Sequence, residues 1–185
     1  MRLEPLAMRH VDDLAGVALE EELWRYLPVT FLTREDVERW ARATLTAAEG
    51  GAEIPFATID RSSGRAIGST RFMDIRREHR GAEIGWTWLG REWRRTAANS
   101  EAKYLQLSYL FETAGCLRVT LKTDALNTRS RRSIERLGAV FEGVLRKHMV
   151  MPTGRIRDSA YYSILDDEWP AVKERLAERL YGAPA

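Results

Sequence analysis

Two stretches of this chain combine residue types that suit an anionic ligand. The first runs Gly90-Arg91-Glu92-Trp93-Arg94-Arg95-Thr96-Ala97-Ala98-Asn99-Ser100, between the β-favouring run Trp86-Thr87-Trp88-Leu89 and a helical stretch. The first N–H groups of a helix have no intrahelical partner, and the helix dipole adds partial positive charge around them. Such an end holds a diphosphate, and small residues from Thr96 to Ala98 would let phosphate oxygens approach the main chain. Arg94 and Arg95 would add direct charge. An ordinary strand–helix connection with solvated arginines would read the same, so the loop alone does not decide. The second stretch is Asn127-Thr128-Arg129-Ser130, leading into Ile134-Glu135-Arg136-Leu137-Gly138. It puts a cap residue and a hydroxyl at the mouth of another helix, and a plain N-cap is the bland reading.

The elements that must position these residues follow from periodicity. An edge strand opens the chain at Arg2–Leu6, a helix runs from about His10 to Leu23, and Thr33 caps a second helix with Asp36 at its third position. Val37, Trp40, Ala41, Thr44, Leu45 and Ala48 trace one face of that helix, and Gly50-Gly51 ends it. Strands follow at Pro55–Asp60, Ala66–Asp74 and Ala82–Leu89. A helix from Ala98 to Ala114, apolar nearly all round, is expected to be well buried. A strand at Leu117–Thr123, the helix capped by Asn127, a strand pair (Val140–Met151 and Ile156–Leu165) and a helix after Asp167 complete the chain. Meander strands with late helices imply a mixed α/β sheet in a single domain, 1–185. Strict alternation would put Glu83, Gly85, Thr87 and Leu89 on one face of their strand and Ile84, Trp86 and Trp88 on the other.

Composition sets the outer limits. A net charge of +2 argues against a nucleic-acid binder, and no apolar run approaches the ~20 residues that span a bilayer. The single cysteine, Cys116, permits no intramolecular disulfide and no cysteine metal site; it reads as core, in a reducing cytoplasm. No metal is expected, since His10, His79 and His148 lack ligand spacing. Charge is uneven: residues 1–50 hold six Arg against ten acids, whereas residues 118–157 hold ten Lys and Arg against three. The basic segment either solvates a helix and a hairpin or meets a phosphorylated ligand.

Taken in order, these motifs resemble the GNAT acyltransferase superfamily, and within it the branch of ribosomal-protein N-acetyltransferases (RimJ/RimL-like). Arg94-Arg95-Thr96-Ala97-Ala98-Asn99 falls on the family's diphosphate loop, Gln/Arg-x-x-Gly-x-Gly/Ala, with Ala97 and Asn99 where glycines are common. Ala82-Glu83-Ile84-Gly85-Trp86, Asn127 to Ser130, Leu137-Gly138, Arg157-Asp158 and Glu168-Trp169-Pro170 extend the likeness from Leu3 to about Leu180. The resemblance implies a central mixed, mostly antiparallel sheet of six to seven strands flanked by four to five helices. It also implies acetyl-CoA as co-substrate and direct acetyl transfer to a primary amine, either a protein N-terminal α-amine or a small molecule.

By the same resemblance Glu83 is the candidate base, with an edge-of-sheet Glu paired to a nearby Arg as the alternative role. A main-chain N–H near Trp88 or Leu89 would hold the developing oxyanion. The family's acid, a Tyr four residues before the last glycine, is replaced by Ile134, which leaves Ser130 to hydrogen-bond the leaving sulfur or simply to cap its helix. Thr96, Ala97, Ala98, Asn99, Ser100 and Asn127 would surround the coenzyme; Arg129, Arg131 and Arg132 would meet phosphates, while Arg136 would be solvated. Trp24 and Trp86 are candidates for the acceptor pocket. Enzymes of this kind are often homodimers, an assembly the sequence does not determine, and a coenzyme A-binding sensor of the same fold is the alternative function.

Overall fold

The computed structural model describes residues 1–182, so the last three residues of the expected 1–185 domain lie outside the described residues. In chain order the elements are β1 (Arg2–Pro5), α1 (Val11–Ala18), α2 (Arg34–Glu49), β2 (Ile54–Ile59), β3 (Ala66–Arg76) and β4 (Gly81–Leu89). They continue with α3 (Ala98–Ser108), β5 (Arg118–Asp124), α4 (Thr128–Leu137), β6 (Val140–Val150), β7 (Ile156–Leu165) and α5 (Trp169–Tyr181). The seven strands form one sheet in the order β1-β2-β3-β4-β5-β7-β6. Only β4 and β5 run parallel; the other neighbours are antiparallel.

Local chemistry explains most of the boundaries. Thr33 and Asp36 form a reciprocal capping box at α2, with Thr33 Oγ1 accepting from Asp36 N at 3.2 Å and Asp36 Oδ2 accepting from Thr33 N at 3.0 Å. Gly138 closes α4 in the left-handed conformation at φ 99°. The first helix is shorter than its periodicity suggests. It stops at Ala18, Glu20 is extended, and a separate 3₁₀ turn spans Glu21–Trp24. Trp24 Nε1 donates to the terminal carbonyl of Ala18 at 2.8 Å, so the indole folds back and caps the end.

Each face of the sheet carries its own core. On one, α3, α4 and α5 pack through Leu107, Leu110, Ile134, Leu137, Val172 and Leu176 onto Ile84, Val119, Leu121, Tyr162 and Ile164. On the other, α1 and α2 pack through Leu14, Ala18, Val37 and Trp40 onto Ala57, Ile59 and Trp88. The expectation that α3 is buried all round is corrected. Leu105 and Tyr109 are exposed, whereas Lys103 and Gln106 are buried against the sheet. Its end also widens: Ala114 N–H reaches Tyr109 O at 2.9 Å and Cys116 N–H reaches Leu110 O at 2.8 Å.

Candidate active site

The site begins where β4 and β5 separate. They pair from Gly81↔Arg118 to Ile84↔Leu121 and then diverge. Beyond that point the β5-facing edge of Gly85–Leu89 has no strand partner. β4 also carries a bulge: Gly85 pairs with Arg71 and Trp88 with Ser69, so Trp86 and Thr87 together oppose Thr70. Trp86 absorbs the extra residue at φ 50°.

The bulge overturns the strict alternation. Trp88 packs with Trp24 and Trp40 on the α1–α2 side, at ring distances of 5.3 and 5.9 Å. Trp86 stacks under the Arg71 guanidinium (4.6 Å), which Glu53 pairs from the same side at 2.9 Å. Thr87 instead points at α3, where its Oγ1 accepts from Lys103 Nζ at 2.7 Å. Glu83 and Trp88 therefore share a side that even spacing would have split.

A cleft of about 540 Å³ runs through this opening and is lined by the unpaired part of β4, the starts of α3 and α4, the end of β5 and the α1–α2 connection. At α3, Thr96 Oγ1 donates to Trp93 O at 2.8 Å and accepts from Ala98 N at 3.2 Å. Glu101 N bonds Ala97 O at 2.9 Å. Among the described residues the amides of Thr96, Ala97, Asn99 and Ser100 have no partner, which leaves a cluster of free N–H groups at a helix start. Ala97 has φ −65° and precedes the helix in ordinary helical geometry, so glycine is not needed there; the positive φ of the loop lies at Arg95, 66°.

The arginines divide unevenly. Arg95 lines the cleft. Arg94 also borders it, but its guanidinium is engaged by Leu89 O at 3.0 Å and Glu20 at 2.8 Å, tying the end of β4 to the α1–α2 connection. On α4 the cleft-facing residues are Arg129, Ser130, Ser133, Ile134, Arg136 and Leu137. Arg132 is turned outward by the helical period, and Arg131 donates to Tyr162 Oη at 2.9 Å. Arg136 is exposed, as expected of a solvated helix residue, and also lines the cleft, whereas Arg132 is exposed and does not.

Asn127 caps α4, its Oδ1 accepting from Ser130 N at 3.0 Å. The cap is thus the Asn side chain and the Ser130 main chain. The Ser130 hydroxyl borders the cleft and makes no hydrogen bond among the described residues.

Glu83 is almost fully buried. Lys122 Nζ holds its Oε2 at 3.0 Å, and its Oε1 has no partner. Burial pushes the carboxyl pKa up, with the Lys122 charge opposing. It stands just behind the cleft wall: a Cβ placed on Gly85, which does line the cleft, would lie 3.0 Å from Glu83 Oε1.

Two charged residues escaped the sequence reading. Lys103 Nζ is buried without a carboxylate and is held by Thr87, Gln106 Oε1 at 2.9 Å and Thr70 at 3.3 Å. Burial brings its pKa down to about 7. Arg157, 5% exposed, donates from Nε to Ser159 Oγ at 3.0 Å and from Nη1 to Tyr26 O at 3.3 Å. A period of 3.6 applied to α3 would have flagged Lys103; Arg157 belongs to a motif of the family likeness, but nothing local marks its burial. His148, on the β6–β7 hairpin, bonds Ser159 Oγ at 2.9 Å and Tyr161 Oη at 3.3 Å. Among the described residues no group of His, Cys, Asp and Glu is arranged to hold a metal, and no helix is long and apolar enough to cross a membrane.

With this geometry in hand, comparison with known proteins is decisive. Residues 1–140 match the acetyltransferase (GNAT) domain. The chain belongs to the GNAT acetyltransferase family. A GCN5-related N-acetyltransferase from Brucella melitensis superposes with a TM-score of 0.89 at 36% identity, covering 99% of this chain and 82% of its own. YnaD of Bacillus subtilis, named an uncharacterized N-acetyltransferase, is 28% identical over 151 residues, 81% of this chain and 84% of its own. The ribosomal-protein-S5-alanine acetyltransferase of Vibrio fischeri shares the fold at a TM-score of 0.72 and 18% identity, covering 91% of this chain and 93% of its own. The seven-stranded mixed sheet with five helices is the architecture that the sequence motifs implied. At 18% identity the likeness to the Vibrio fischeri enzyme extends to the fold alone.

Proposed function

We propose that this domain binds acetyl-CoA at the α3 N-terminus and transfers the acetyl group directly to a primary amine. The observation that carries this reading is the set of free amides at Thr96, Asn99 and Ser100, residues that line the same cleft as the unpaired edge of β4, with Ala97 and Ala98 outside that lining. The amides and the helix dipole suit the diphosphate. Arg95, Arg129 and Arg136 add charge around it. Bound acetyl-CoA supplies an activated acyl carbon, and the diverging strands leave room for its pantetheine arm beside Trp88, Leu89 and Asn127.

The chain's own residues would then manage protons and charge. An amine attacks only as the free base, so a proton must leave it. Glu83 receives that proton through a water reaching Oε1, a task suited to its raised pKa. A main-chain N–H on the free edge of Gly85–Leu89 faces the carbonyl oxygen as it gains charge. The C–S bond breaks as the C–N bond forms, and the Ser130 hydroxyl donates a hydrogen bond to the departing sulfur. Ile134 stands where relatives place a tyrosine, so no phenol serves as acid at that position.

Release of free coenzyme A thiol from acetyl-CoA tests this reading against a panel of small amines, polyamines and peptides with free N-termini. Amine-dependent thiol release is expected. Coenzyme binding with no release above background would identify a sensor instead.

A further inference from the structure

Alternation separates the strands around the cleft into two sides. On β5 and β7, Val119, Leu121, Ala160, Tyr162 and Ile164 pack on the side of α3, α4 and α5, where the coenzyme amides lie. Lys122, Arg157, Ser159 and Tyr161 occupy the opposite side, together with Glu83. Over that second side lies the α1–α2 connection, which adds Tyr26 and Leu27 to the cleft. This is the side from which an acceptor amine would approach.

Charge on that side is incompletely matched. Lys122 is paired with Glu83, and Asp124 with Arg155. At the mouth, Glu22 and Arg25 both line the cleft and are exposed. Arg157 remains. It is buried, lines the cleft and has no carboxylate within salt-bridge distance among the described residues; its two bonds go to a neutral hydroxyl and a main-chain carbonyl, leaving Nη2 without a protein partner. A buried cation is costly unless an anion compensates it, and a guanidinium held at Nε and Nη1 still presents a planar donor edge. An ordinary stabilising arginine would be satisfied by its own protein.

We infer that Arg157 is the anchor of an anion subsite for the acceptor, and that the acceptor is an amine carrying a carboxylate. This rests on the acetyl-transfer reading above and deepens it. The carboxylate docks on Nη2 while the amine of the same molecule reaches the opening between β4 and β5. Two sources supply this chemistry: the α-carboxylate of a free amino acid, or an acidic side chain near the N-terminus of a peptide.

The test uses acceptors matched except for one carboxylate, with acetyl-CoA saturating: alanine against alaninamide, and Ala-Glu-Ala-amide against Ala-Gln-Ala-amide. The expected result is at least a tenfold higher kcat/KM for the acid in one arm, and that arm names the source. Arg157→Gln should bring the acid/amide ratio close to one, mainly through KM, and Arg157→Lys should restore part of it. Coenzyme A affinity, measured on both variants, reports that the fold is intact. A ratio near one in the wild type for every pair overturns the subsite while leaving acetyl transfer standing, as does an Arg157→Gln variant that loses activity equally on acid and amide. If no amine in any arm is acetylated, the acetyl-transfer reading falls and the subsite with it.

Discussion

The two sides of the β4–β5 opening are made from different materials. The coenzyme side is built from backbone: free amides at the start of α3, an Asn cap on α4 and a β4 edge without a partner. The acceptor side is built from buried charges: Glu83 with Lys122, Arg71 with Glu53, and Arg157 with no carboxylate in salt-bridge contact among the described residues. A backbone site tolerates many side chains and can serve a common co-substrate. A side-chain site changes with each substitution and can set what is acetylated.

The contrast can be broken most sharply at Glu83. Glu83→Gln should lower kcat by about a hundredfold or more, the range for a lost general base, while coenzyme affinity holds. Because burial raises this pKa, the active carboxylate is lost as pH falls through the raised value, giving an acid limb in kcat/KM. The Gln variant should lack that limb; an unchanged profile would remove Glu83 from the chemistry and leave it as the partner of Lys122.

Gly68→Ala should harm both sides together. A Cβ there would stand 2.1 Å from Trp88 O and 2.9 Å from Leu89 Cα, so β4 must move. A loss of about 1–3 kcal/mol in denaturant unfolding is expected, accompanied by weaker coenzyme binding. A full-strength variant would mean that the bulged strand is far more pliant than its packing suggests.

Lys103 ties α3 to the bulge, and pH reveals it. Its folded pKa of about 7 lies below the ordinary lysine value of 10.5, so the unfolded chain holds the extra proton between those values. Stability contributed by this group therefore rises with pH across that window, by at most about 1.4 kcal/mol per unit. Lys103→Met should flatten the slope in unfolding curves collected from pH 6 to 10. An identical slope in the variant would show that the amine is solvated.

The smallest effect separates neighbours on α4. Arg136→Ala should weaken coenzyme A binding roughly two- to fivefold, with less difference at high salt, whereas Arg132→Ala should hardly change it. The reverse order would return the phosphate contact to the outward face.

How much could be read from sequence follows the same division. Caps, glycine stops and strand order are local, and Thr33, Asn127 and Gly138 act in the structure as their types suggest. The free amides at Thr96, Ala97, Asn99 and Ser100 were legible because a helix start leaves amides unpaired whatever its side chains. The parity of β4 was not, since one extra residue at Trp86 reverses every face beyond it. Nor was the burial of Arg157, whose partner Tyr26 lies 131 residues away. Leu105 and Tyr109 misled in the opposite direction: hydrophobicity suggested burial, but the sheet is met by the face carrying Ala102, Lys103 and Gln106. Local chemistry thus revealed one wall of the cleft, and the long-range packing of charges made the other.

Calorimetric titration of the protein with coenzyme A and, separately, with pantetheine probes the backbone site itself. The two ligands share the thiol arm and differ in the diphosphate and nucleotide. Coenzyme A should bind at least a hundredfold more tightly, with a Ser100→Pro variant, which removes one of the free cleft amides within the first turn of α3, where a helix accepts proline, losing much of that advantage. Equal affinities, or an undiminished preference in the Pro variant, would contradict a diphosphate held by the amides at the start of α3.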